Sequence, residues 1–320
     1  MNTSGIVVIG NANVDLTTYV PRAPEAGETV LGTHFSTGMG GKGANQAVAA
    51  ARAGADVALI ARVGQDSFGA MMTRALTAEG LDLTQLTEVE GPSGVATIWV
   101  DSAGENRIAV FPGASSSLTA EDARSSLASH PQARILVSQL EIDQGVVAAA
   151  LEAGTSQAMT TILNIAPYAT LRPGILENTT WLIANEGEMG ALLVDRGIES
   201  TADLSSTSVH RAMSRWSQEL GCNLLITLGR DGAAGCSLDG DTFRYAAPPV
   251  KALDTVGAGD CFVGFFAAFL DHGLTWHQAL KGAVLAASDT VTEPGAQSSY
   301  PSAQDAQKYR SLALEKNPGG

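Results

Sequence analysis

Short, uninterrupted runs of apolar residues alternate along this chain with longer alanine-rich stretches. The first run is Ile6-Val7-Val8-Ile9, closed by Gly10, and others follow at Val57–Ile60, Ile135–Val137, Thr161–Leu163, Trp181–Ile183 and Leu224–Thr227. A run that is apolar at every position, not at alternate ones, predicts a strand covered on both faces, hence a parallel sheet between helical layers. The intervening stretches Asn45–Ala53, Ser67–Glu79 and Val146–Ala153 read as helices. Strand, helix, strand at this spacing predicts a doubly wound, mostly parallel α/β sheet with helices on both faces.

Two segments break the rhythm. Residues Leu16–Thr37 carry Pro21, Pro24 and Gly27, then an extended stretch from Glu28 to Phe35. Residues Gly94–Phe111 read as two strands around the turn-rich Asp101–Asn106, a hairpin signature. Strands without helices predict a small β lid, 16–37 with 94–111, beside a larger unit formed by 1–15, 38–93 and 112–320. No repeat and no low-complexity linker interrupts this plan, and only the tail at 316–320 reads as frayed.

Composition narrows the function classes. With 45% hydrophobic and 16% charged residues in 320, the chain can build a large core, and wholesale disorder is excluded. A net charge of −14 repels phosphate backbones and anionic lipid, so nucleic acid and membrane are not expected partners. A local nest of backbone N–H groups can still hold a phosphate against that field. The longest apolar run, Cys261–Leu270, is too short to span a bilayer, and the N-terminus lacks a basic start followed by a long apolar stretch. Three cysteines with no C-x-x-C pair predict a reducing, cytoplasmic setting. The five histidines have no metal-ligand spacing, so no zinc site is expected.

Two glycine-rich clusters carry candidate chemistry. Gly38-Met-Gly-Gly-Lys-Gly-Ala-Asn45 matches G-x-G-x-x-G, the dinucleotide fingerprint, which would suit an NAD-dependent oxidoreductase. That fingerprint belongs after the first strand of a βαβ unit, however, and the first strand here ends at Gly10. Lys42 is followed by Gly43, so the segment is no Walker loop either; Lys42 and Asn45 remain as donors on a close-approaching backbone. The second cluster is Asp254-Thr-Val-Gly-Ala-Gly-Asp260, opening an apolar helix. Gly257, Ala258 and Gly259 can aim successive N–H groups one way at a helix start, an anion hole, with Asp260 in the first turn. An acid there can merely complement the helix dipole. Beside an anion hole it also suits phosphoryl transfer, as a base for the attacking hydroxyl.

Taken in order, Asn13-Val-Asp15, Gly40-Gly-Lys-Gly-Ala-Asn-Gln46, Asn185-Glu-Gly-Glu188, Thr227-Leu-Gly229 and Asp254–Asp260 resemble the ribokinase family of PfkB-type sugar kinases. The resemblance runs from Ile6 to about Pro301. It implies ATP-dependent phosphorylation of D-ribose at its 5-hydroxyl, or, in a sibling enzyme, of deoxyribose, a nucleoside or another sugar. It further implies that Asn13, Asp15, Gly41, Lys42, Gly43, Asn45 and Glu141 bind the sugar, and that Asp260 is the general base beside the Gly257-Ala258-Gly259 hole. Asn185 and Glu188 would help place magnesium and the ATP phosphates, and Thr227, Gly229, Gly232 and Gly259 would contact the nucleotide. A potassium site would draw on the Asp254 carboxylate, carbonyls of Val256, Thr290, Glu293 and Gly295, and the Ser299 hydroxyl, hard oxygens that suit an alkali cation. A homodimer through the lid is also implied. Ala184 and Ile165 stand where the family commonly has proline. A sugar-binding protein without catalysis is the third class considered, and the anion hole with Asp260 has no use in one.

Overall fold

The computed structural model describes residues 5–199 and 209–315, so the tail read as frayed lies outside the described residues. In chain order the elements are β1 (Ile6–Ile9), β2 (Asn13–Tyr19), β3 (His34–Gly40), α1 (Lys42–Arg52), β4 (Val57–Gly64), α2 (Ser67–Ala78), β5 (Leu86–Val89), β6 (Gly94–Val100) and β7 (Asn106–Phe111). There follow α3 (Ala120–Ala128), β8 (Ile135–Gln139), α4 (Gln144–Ser156), β9 (Thr160–Asn164), β10 (Trp181–Asn185), α5 (Glu186–Asp195) and α6 (Val209–Leu220). The chain closes with β11 (Asn223–Thr227), β12 (Ala233–Cys236), β13 (Thr242–Tyr245), α7 (Ala258–Asp271), α8 (Trp276–Thr290) and α9 (Ala303–Leu314).

The larger sheet has the order β13-β12-β11-β10-β9-β8-β1-β4-β5 and the smaller one β3-β2-β6-β7. From β11 to β5 every neighbouring pair is parallel, and β12 and β13 add two antiparallel strands at one edge. The expected doubly wound sheet with a small separate β unit is therefore what the chain forms. Strand β1 shows why its run is apolar throughout. Ile6 and Val8 pack into the core shared with α1, α7 and α8, whereas Val7 and Ile9 enter the opposite core under α3 and α4. All four are 0% exposed, and each such side chain contributes roughly 1.5–3 kcal/mol of burial.

Two helices meet unusually closely at the centre of one layer. A Cβ on Gly264 of α7 would lie 2.6 Å from the Gln46 carbonyl oxygen and 2.8 Å from Ala50 N, so α1 and α7 touch backbone to backbone. This contact brings the start of α1, carrying Lys42 and Asn45, against the start of α7, carrying Asp260.

One expectation needs correction. The extended stretch placed at Glu28–Phe35 is instead His34–Gly40, and the glycines at 38 and 40 are strand residues, not loop. The reason lies in the pairing with β2, where Asp15 faces Gly38 and Asn13 faces Gly40. A side chain at Gly40 would collide with the Asp15 carboxylate. Gly40 thus leaves room for an acid. Strand β3, which leads through Gly41 into α1, is antiparallel in the smaller sheet and not the first parallel strand of a βαβ unit, which removes the basis for the oxidoreductase reading.

Candidate active site

The site lies at the carboxyl ends of the parallel strands, where the order reverses: β1 continues to β4 on one side, while β8, β9, β10 and β11 follow on the other. Ligands of open α/β sheets bind at such a switch point, because the loops on its two sides diverge and leave a crevice. Asn11 and Asn13 follow β1, Gln139 and Glu141 end or follow β8, and Asn164, Asn185 and Thr227 close β9, β10 and β11. The starts of α1 and α7 point into the same crevice.

On its inner side the crevice holds a cluster of acids and amides. Asp260 is 6% exposed, and both its oxygens are engaged: Gln46 Nε2 donates to Oδ1 at 2.9 Å and Asn45 Nδ2 to Oδ2 at 3.0 Å. Glu141 Oε2 accepts from Asn11 Nδ2 at 2.8 Å and from the Lys42 backbone N–H at 3.1 Å. Asn11 Oδ1 in turn accepts from Gly43 N at 3.2 Å, fixing the glycine loop to the end of β1. Asn13 is buried with its Oδ1 unpartnered among the described residues, an acceptor facing no protein donor.

Asp15 shares this space with two other carboxylates, Glu141 and Asp260. Burial, reinforced by Glu141 and then Asp260, pushes Asp15 up to about 7. The Lys42 ammonium is held above its ordinary value mainly by Asp260; burial opposes this, and Glu141 and Glu188 add to it. A cation is thus kept charged amid acids that need one.

On the outer side Lys42 and Asp260 also border a cleft of about 920 Å³ that is lined by Asn164, Asn185, Glu188, Thr227, Gly229 and Gly232 among others. Gly257, Ala258 and Gly259 line the same cleft. Helix α7 starts there after its N-cap Gly257, which makes no side-chain cap; the Ala258 N–H reaches the Thr255 carbonyl only at 3.4 Å, which leaves the first turn accessible to a ligand anion. Asn185 and Glu188 form the capping box of α5: Asn185 Oδ1 accepts from Glu188 N at 2.8 Å, and Glu188 Oε2 accepts from Asn185 N at 2.9 Å. Burial raises Glu188 and Asp260 raises it further, while its bond to Asn185 N–H and the Lys42 charge oppose the shift.

The residues assigned to a monovalent cation also come together. Asp254 Oδ1 accepts from Val256 N at 3.0 Å and Oδ2 from Gly295 N at 2.8 Å, joining the 254–256 segment to the turn after α8. Ser299 Oγ lies 2.7 Å from the Gly295 carbonyl, and Glu293 N lies 3.4 Å from the Thr290 carbonyl. The set is oxygen-only. Among the described residues no group of three His, Cys, Asp or Glu is arranged for a metal. Cys261 is buried, and burial pushes its thiol up to about 12, which makes it a small core residue and no nucleophile.

Sequence reasoning named most of these residues and passed over Asn11, Gln46, Gln139, Asn164 and Gln297. Each of the first four sits at a strand end or inside a motif already singled out, so a polar residue directly after an apolar run was the available signal. Gln297 carried none.

The pfkB family carbohydrate kinase profile matches residues 3–303. The chain belongs to that family. Ribokinase of Schizosaccharomyces pombe is 35% identical over 93% of this chain and 95% of its own length. Deoxyribokinase of Salmonella typhi is also 35% identical, over 96% of this chain and 99% of its own. The structure of Arabidopsis thaliana ribokinase complexed with ribose and ATP aligns with a TM-score of 0.85 at 27% identity, covering 96% of this chain and 99% of that one. This pfkB-family protein is an ATP-dependent sugar kinase, and the non-catalytic reading is set aside.

Proposed function

We propose that this kinase transfers the γ-phosphoryl group of ATP to the 5-hydroxyl of D-ribose. The observation that carries the reading is the position of Asp260, shared between the cluster of Asn13, Asp15, Asn45 and Glu141 and the cleft large enough for a nucleotide. The Arabidopsis relative, complexed with ribose and ATP, supports this pair of substrates. Asp260 accepts the hydroxyl proton as the sugar oxygen attacks the γ-phosphorus. The bond from phosphorus to the bridging oxygen of ADP breaks, and the N–H groups of Gly257, Ala258 and Gly259 stabilise the charge on the transferring group. Lys42 lies where it can pair with the phosphate side, and Asn185, Glu188, Thr227, Gly229 and Gly232 hold the nucleotide.

A half-buried acid bordering the nucleotide cleft, as at Glu188, fits a divalent cation nearby; magnesium bound with ATP would neutralise phosphate charge there. The oxygen-only set from Asp254 to Ser299 fits potassium, and would order the loop leading into the anion hole. The small sheet, from 13–40 with 94–111, acts as a lid that excludes water, the competing phosphoryl acceptor. Its exposed apolar side chains support dimerisation of two lids. Three cysteines without a C-x-x-C pair favour a reducing, cytoplasmic setting. No helix among the described residues is long and apolar enough to cross a membrane.

Ribokinase and deoxyribokinase relatives are equally similar, so the choice of sugar rests on chemistry. A carboxylate at Asp15 accepts from two hydroxyls of a vicinal diol, and a 2-deoxy sugar leaves one position unpaired. That omission costs about 1–3 kcal/mol, or roughly 5- to 150-fold in kcat/KM. ADP release measured across ribose, 2-deoxyribose, other pentoses and nucleosides should therefore rank ribose first by that factor. A preference for the deoxy sugar or a nucleoside would replace ribose by that substrate.

A further inference from the structure

The Asp260 carboxylate is not held by residues of its own helix. It is held by two amides of α1, and each of these is fixed by an amide from elsewhere in the fold. Gln139 Nε2, at the end of β8, donates to Gln46 Oε1 at 2.8 Å. Gln46 Nε2 donates to Asp260 Oδ1 and also to Asn164 Oδ1 at 3.1 Å, while Asn164 Nδ2 is committed to the Ile183 carbonyl at 3.1 Å. On the other side, Gln297 Nε2 donates to Asn45 Oδ1 at 2.9 Å, and Asn45 Nδ2 donates to Asp260 Oδ2. Arg52 braces the second arm by donating to the Gln297 carbonyl at 2.7 Å, while pairing with Glu79 at 2.6 Å.

Each link has a direction. An amide donates at its nitrogen and accepts at its oxygen, so a donor from Gln139 against Gln46 Oε1 forces Gln46 Nε2 toward Asp260. Gln46 and Gln139 are both 0% exposed, and Gln139 Oε1 has no partner among the described residues. A space that apolar side chains could fill without an orphaned acceptor is instead filled by an oriented chain of amides. We propose that Gln46 is a positioning residue for Asp260: its amide, polarised by Gln139 and Asn164, aims the carboxylate and supplies the donor that stabilises it. Gln297 does the same for Asn45. The inference rests on the kinase reading with Asp260 as base.

The test exploits direction. Gln139→Glu replaces the donor that faces Gln46 by an acceptor, which favours a turned Gln46 amide with its oxygen against Asp260. The expected result is a kcat lower by about 10- to 30-fold, with KM for ribose and for ATP within threefold of wild type. Gln46→Met should lower kcat by about 10- to 100-fold with similar KM values. Once residue 46 carries no amide there is nothing to turn, so the Gln46→Met, Gln139→Glu double variant should match Gln46→Met alone. A role confined to folding would lower the melting temperature, and the losses in kcat would multiply in the pair. Gln297→Glu, on a turn and not in the sheet, provides the same reading on the Asn45 arm if the Gln139 variant does not fold. A Gln139→Glu enzyme with kcat within twofold of wild type, or a double variant whose loss is the product of the single losses, overturns the inference. Wild-type protein that releases no ADP with any sugar overturns the kinase reading as well, which separates the two failures.

Discussion

The two sheets obey different rules although both touch the same crevice. In the larger sheet Ile6, Val7, Val8 and Ile9 are wholly buried, because helices cover both faces. In the smaller sheet every residue of β7 is exposed, and Phe35, Ile108, Val110 and Phe111 are each at least half exposed. The cross-strand register puts Asp15, Ala96 and Val110 on one face and Phe35, Trp99 and Arg107 on the other. A sheet buried on both sides fixes geometry, and Asp260 and its amides are anchored to it. A sheet with little cover can move, and it carries Asp15, the residue assigned to sugar hydroxyls. The well-covered sheet thus anchors the proposed base, and the less covered one carries the proposed sugar contact.

The contrast predicts separable defects. The largest outside the base itself should follow Asp15→Ala, which removes the acceptor for the diol: kcat/KM for ribose should fall about 10- to 100-fold, whereas KM for ATP should stay within threefold. Steady-state kinetics with each substrate varied in turn checks this, and equal losses for both substrates would merge the two regions into one. Next in size is assembly. Trp99→Glu together with Ile108→Glu, one on each face of the small sheet, should convert the proposed dimer into a folded monomer by sedimentation analysis. A dimer that survives both charges does not use this sheet.

The smallest effect concerns stability. A carboxyl raised in the folded state from its ordinary value to about 7 stabilises the fold most below pH 4. That stability is lost as pH rises through 7, because the buried ionised form repels Glu141 and Asp260. Asp15→Asn carries no such charge. Its melting temperature should match wild type near pH 4, exceed it progressively up to pH 7, and remain roughly 2–6 °C higher above that. A gap that narrows with rising pH would contradict the burial of a charged Asp15.

How much of this was legible in the sequence follows from the same contrast. The six strands β1, β4, β8, β9, β10 and β11 announce themselves by short, mostly apolar runs, since burial on both faces confines most polar residues to the strand ends. Strands β5, with Leu86-Thr-Glu-Val89, and β12, with Ala233-Ala-Gly-Cys236, do not: one is short and half polar, the other small-residued, and both are strands only because a neighbour pairs with them. Strand β3 was misplaced because its glycines answer to the Asp15 side chain across the ladder, a long-range demand that no local pattern displays. In the site, the Gly257–Asp260 and Gly40–Gln46 clusters were readable as motifs. Their joining through Gln46, Asn45 and Gln297 was not, because it depends on α1 meeting α7 at Gly264 and on partners more than 200 residues apart.

In the proposed reaction Asp260, at the junction of the two regions, takes the proton of the sugar hydroxyl. Asp260→Asn tests it most directly, with turnover measured beside calorimetric binding of ribose and of ATP. The account predicts a kcat lower by about 10²- to 10⁴-fold, with both affinities within a few fold of wild type. A variant that keeps more than about half of wild-type kcat would contradict it.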